Sequence, residues 1–203
     1  MIELKTRDME QIFANRFAVG PNGRTALRGR LEHLRRLGTP IGVQQGQGRA
    51  AKFGWRQSLT LAAAVELLNV GLTPDHAHRI VSAGDAELIQ TFAMLPFNTG
   101  TALLDAVESG IVPELATATL LVTADAFSGL RGEGVSPAVS IISWRMPCEA
   151  ADLPSELHTS RVALNLASVT IEYMRAMSRA LDFPKGEIVA SFQEWAVQNV
   201  HHP

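Results

Sequence analysis

The sequence predicts a mainly α-helical chain with a small share of β-structure, in two parts. Residues 1–84 form a helical head around a β-hairpin, and residues 85–203 form a mixed α/β body. Three observations carry this. Apolar residues recur at helical spacing along most of the chain. Glycine- and proline-rich breaks at Ala18–Gly23, Gly38–Pro40 and Gly46–Gly48 separate the runs. Charge is unevenly placed: residues 1–58 hold 11 Lys+Arg against 4 Asp+Glu, a net of +7, and the other 145 residues hold 7 against 16, a net of −9. With 203 residues, 46% of them hydrophobic, the chain can bury a core, which excludes wholesale disorder.

The first helix is predicted from Thr6 to about Asn15, with Met9, Ile12 and Phe13 on one face. A second runs from Arg24 to Leu37, with Leu27, Leu31 and Leu34 as its core stripe and Gly38 and Pro40 as its stop. Ile41 to Trp55 reads as a β-hairpin turning at Gly46-Gln47-Gly48. Ser58 is the expected cap of a third helix that ends near Val70 and Gly71. Thr73 and Pro74 open a fourth, through Ala83. In the body, Asp85–Leu95 and Thr101–Ser109 read as helices, and the β-branched runs Ala116–Thr123 and Ala138–Trp144 as strands. Arg161–Leu181 reads as a long helix whose start could be a strand, and Glu187–Val200 as a last amphipathic helix.

A helix, a tight turn, a second helix with an outer basic face and a hairpin with a basic arm make up a winged helix-turn-helix. At 100° per residue from Leu27, Thr25, Gly29, Glu32 and Arg36 fall at roughly 140° to 200°, opposite the leucine stripe, with Arg28 beside them. An α-helix fits the major groove of duplex DNA, where such side chains reach base edges. Asn22, Arg24, Thr25, Arg28, Gly29, Glu32 and Arg36 are therefore the expected contacts of this helix. Gly29 would allow close backbone approach. From the hairpin, Arg49 and Lys52 would neutralise phosphates, and Gln44, Gln45 and Gln47 add neutral donors.

The segments GRTALRGRLEHLRRLGTP and GQGRAAKFGWRQSLTLAAAVELLNVGLTPDHAHRIV resemble the MerR family of bacterial transcription regulators, over about residues 6–84. Phe53, Trp55, Ser58, Glu66, Leu67, Gly71, Leu72, Pro74 and Ile80 stand at equivalent-looking places. The resemblance implies a MerR-like winged helix-turn-helix, DNA binding as a homodimer and control of transcription in the bacterial nucleoid. RNA polymerase or a small-molecule effector would be further partners. Compact folds of this kind also serve architectural DNA proteins of mobile elements, in excision or partition. A protein- or ligand-binding module without DNA activity is the third class considered.

Enzyme chemistry has no support in motifs: GxSxG, a Walker loop and HExxH are all missing. No cofactor or metal is expected. His76 and His78 point about 200° apart on a helix, and the single cysteine, Cys148, rules out an intramolecular disulfide. The charged start MIELKTRDMEQ lacks a signal-peptide core and no stretch reads as a membrane span, so the expected location is the cytoplasm. Trp144, Trp195, Phe127 and Tyr173 read as core more readily than as a ligand pocket. Arg161–Leu181 carries two apolar stripes, one through Val169, Tyr173 and Met177, the other through Leu164, Ile171 and Met174. Two stripes need two apolar neighbours. A homodimer interface is the expectation drawn, against a fully buried central helix.

Overall fold

The computed structural model describes residues 2–43, 51–113, 118–123, 139–143 and 161–200. Among them the fold is mainly α with little β. Strand β1 (Leu4–Lys5) leads into α1 (Thr6–Arg16), a 3-10 turn (Pro21–Gly23) and α2 (Arg24–Leu37). Then come β2 (Lys52–Phe53), α3 (Trp55–Asn69), α4 (Pro74–Ala83), α5 (Asp85–Thr99) and α6 (Ala102–Ser109). Strands β3 (Ala118–Thr123), β4 (Val139–Ser143) and β5 (Arg161–Asn165) precede α7 (Leu166–Leu181) and α8 (Lys185–Asn199). All strand pairing is antiparallel: β1 with β2, and β3 between β4 and β5.

Local chemistry explains most boundaries. The Asp8 carboxylate accepts the Lys5 N–H at 2.8 Å and starts α1. Gly38 takes the left-handed conformation (φ 97°) that closes α2, and Thr39 N–H reaches back to Leu34 O at 2.9 Å. Thr73 Oγ1 accepts from His76 N–H, with Pro74 at the first helical position of α4. Asn165 Oδ1 accepts from Ser168 N–H at 3.0 Å, which ends β5 and opens α7 at Leu166.

Three expectations need correction. Lys52-Phe53 pairs with β1, a partner not expected from the sequence, in the register Leu4↔Phe53 and Lys5↔Lys52. Ile41 and Gly42 form a turn, and the hairpin's centre, residues 44–50, lies outside the described residues. Burial of both Leu4 and Phe53 fixes this pairing. Next, α3 begins at Trp55, with Gln57 Oε1 accepting from Gly54 N–H at 3.1 Å. Ser58 is not a cap but a buried residue of the helix whose hydroxyl donates to Met9 Sδ. Finally, α5 continues through Pro96 to Thr99, whose hydroxyl donates to Leu95 O at 2.8 Å.

One hydrophobic cluster runs from Leu4 to Ala196, so the core does not break at the boundary expected near residue 84. Helix α1 lies along α7: Phe13 and Tyr173 meet with ring centroids 5.9 Å apart, and Tyr173 Oη donates to Met9 Sδ at 3.3 Å. Helices α5, α6 and α8 also pack on α7, and in the core Trp55 meets Phe192 at a tilt while Phe192 stacks on Trp195. The two apolar stripes of α7 are thereby both filled from the same chain. Leu164, Val169, Ile171, Tyr173, Met174 and Met177 are all buried within it. They are core residues and not an interface for a second copy: a helix wedged between two layers needs apolar residues all round. Tyr173 and Trp195 are likewise core, while Phe127, Trp144 and Cys148 lie outside the described residues.

Burial raises the pKa of Tyr173, the chain's single tyrosine, far above its ordinary value near 10. The unfolded chain releases that proton at about pH 10 and the native chain retains it, so stability falls as pH rises past that point. Tyr173→Phe is expected to cost about 1 kcal/mol at neutral pH through the lost hydrogen bond. Its stability should then fall less steeply than the wild type's between about pH 9 and 11. Urea denaturation across that range checks this; parallel slopes would mean that the phenol titrates alike in both states.

Candidate nucleic-acid interface

Helix α2 buries Leu31 and Leu34, half-buries Leu27 and turns its remaining faces outward. It leans on α1 and α4. At its C-terminal end the buried Thr39 hydroxyl meets His78 Nδ1 of α4 at 2.8 Å, and Ser82 Oγ meets the same nitrogen at 3.2 Å. The helix is thus held at a fixed angle to α4 by a leucine stripe and a polar tie.

Every contact expected from this region of the sequence lies at the surface: Asn22, Arg24, Thr25, Arg28, Gly29, Glu32 and Arg36 are exposed. A Cβ added at Gly29 would meet nothing within 4 Å. Two of the expected cations are not free. Arg28 grips Glu10 of α1 through Nε and Nη2, at 3.0 to 3.1 Å, and the carboxylate holds the guanidinium above its ordinary pKa. Lys52 Nζ lies 2.6 Å from Glu3 Oε1 across the β1–β2 ladder. Gln44, Gln45, Gln47 and Arg49 lie outside the described residues.

The structure also brings forward arginines that the sequence reading passed over. Arg7 of α1, Arg30 of α2 and Arg179 of α7 are exposed, and none has an ion-pair partner among the described residues. Arg7 falls in the same crevice as Arg24 and Arg28. At about 300° from Leu27, Arg30 falls beside the leucine stripe, so helical phase does not single it out, and nothing in the sequence links Arg179 to the head. On the opposite flank of α2, Phe17, Val19, Ala26, Leu27, Leu31, Val65 and Leu68 line an apolar groove of about 350 Å³, edged by Arg30 and Asn69.

Other titratable groups serve the fold. Arg16 bridges Glu66 of α3 at 2.9 Å and Glu172 of α7 at 3.8 Å. Arg56 pairs with Asp85 across the start of α5. His78 is engaged between Thr39 and Ser82. Among the described residues no helix is long and apolar enough to cross a membrane. Comparison with models of known protein families, with curated proteins and with solved structures finds no match to this chain.

The two ties on α2 should differ in weight. Thr39→Val removes a buried hydroxyl from the α2–α4 contact and is expected to cost about 1 kcal/mol. Glu10→Gln breaks an exposed pair, where water already screens the charges, and should move the melting temperature less. Thermal melting of both variants checks this; the reverse order would mean that the Arg28–Glu10 pair fixes α2.

Proposed function

We propose that this protein is a sequence-specific DNA-binding regulator of transcription that enters the major groove with the outer face of α2. The observation that carries the reading is Gly29. A glycine inside a helix costs stability, and this one answers no packing need, because nothing lies over it. It sits among exposed Arg24, Thr25, Arg28, Glu32 and Arg36, where a missing side chain allows a base edge or phosphate to approach the backbone. The order helix, turn, exposed helix, then a segment returning as β2, together with the resemblance of residues 6–84 to MerR regulators, supports the same reading.

In this reading Thr25, Arg28 and Glu32 face base edges, and Arg24 and Arg36 flank them on the phosphates. Arg28 keeps Nε and Nη2 on Glu10 and offers Nη1 to DNA. A two-fold assembly would read two half-sites, and its contact would lie outside the buried side chains of α7.

Gly29 separates stability from function by sign. Gly29→Ala should raise stability by about 0.5–1 kcal/mol, because alanine is the better helix former and its Cβ is unobstructed. The same change should weaken binding to duplexes selected from a random pool by the wild-type protein, and Gly29→Gln should weaken it further. Melting curves and anisotropy titrations on the full chain check both signs. Higher stability with unchanged affinity would overturn the placement of this face against DNA, and failure to enrich any duplex would overturn sequence-specific binding.

A further inference from the structure

We infer that the trough between α1, the start of α2 and the last turn of α7 is a phosphate-binding surface for the duplex backbone, with Arg179 of the acidic body as its outer contact. The inference rests on the DNA reading above and extends the footprint beyond the helix-turn-helix. Two adjoining cavities, of about 490 and 430 Å³, share Gln11, Ala14 and Arg24 as lining and so form one trough. Arg7 and Arg28 line its first half and Arg179 its second, with Arg24 in both. The carboxylate lining it, Glu10, is already gripped by Arg28. Asp182, three residues after Arg179, is not among the lining residues.

The shape favours a polymer over a small anion. A single phosphate or carboxylate is held by donors that converge on one point. Here the guanidinium groups are spread along a trough, and its lining includes the short side chains Ala14, Ala18 and Ala180. Arg28 lines the trough and stands beside the outer face of α2, and Arg24 is exposed one turn before it. A backbone strand bordering the groove that α2 enters would therefore run into the trough without a break. Arginine suits this task, because its planar fork bonds two phosphate oxygens at once.

The test is the salt dependence of full-chain binding to a fluorescent random-sequence duplex and to a selected one, between about 50 and 200 mM salt. Arg179→Ala is expected to lower the logarithmic salt slope by about 0.9 and to weaken both duplexes by the same factor. Arg179→Lys should keep most of the slope. Lys185→Ala, which removes a cation of the body outside the trough, should leave it unchanged. Arg179 is exposed and unpartnered among the described residues, so melting of Arg179→Ala should match the wild type; if it does not, Arg179→Gln takes its place, a slope lowered by about 0.9 supporting the contact and a wild-type slope overturning it. A wild-type slope in Arg179→Ala, with a reduced one in Arg24→Ala, would overturn the trough and leave the DNA reading intact. Equal loss in Lys185→Ala would reduce the effect to net charge and overturn the contact. Salt-independent or undetectable wild-type binding would overturn both.

Discussion

The fold depends on how α1 is held. Met9 and Phe13 point away from solvent between α3 and α7, and the Met9 sulfur accepts hydrogen bonds from both Ser58 of α3 and Tyr173 of α7. Phe13 packs on Tyr173 from the same face of α1. A soft thioether fits such a site because it tolerates two donors and fills irregular space. Around this contact Arg16 ties the same three helices together through the buried Glu66 and through Glu172. With α1 fixed to the body, the angle of α2 and the closeness of Arg24 to Arg179 follow. A head hinged on a linker could not hold residues of both parts in one trough.

Local signals were legible in the sequence and partners were not. Helix α2 begins and ends where its leucine stripe, Gly38 and Pro40 predict, and Thr73-Pro74 opens α4 as expected, because caps and breakers act within one turn of chain. Strand β1 was missed although Ile2-Glu3-Leu4-Lys5 alternates apolar and polar residues; two paired residues are too short a run for periodicity to register. The start of α3 was misplaced because Trp55 reads as the aromatic end of a wing. In the fold its indole N–H finds Ser191 Oγ, 136 residues away. The double stripe of α7 showed that two apolar neighbours exist without saying whose they are. Both belong to the same chain.

Charge shows the same division. The +7 of the first 58 residues is a property of composition, whereas binding depends on which cations remain unpaired. Arg16, Arg28, Lys52 and Arg56 all meet carboxylates, two of those contacts, to Glu172 and Asp85, reaching into the acidic body. Arg7, Arg24, Arg30 and Arg36 keep their charge toward solvent. Part of the basic head thus ties the molecule together, while Arg7 and Arg24 line the trough, to which the body adds Arg179. No sequence average could show that a residue of the acidic body joins the basic face.

The central claim is that one continuous surface, the outer face of α2 and the trough beside α1, meets duplex DNA. Backbone amide chemical-shift mapping of the full chain, titrated with a selected duplex, tests it most directly. The account predicts that the largest shifts fall in Arg7–Ala18, Asn22–Arg36 and the turn around Arg179, with α5, α6 and α8 little changed. Shifts concentrated on α5, α6 or α8 would contradict it.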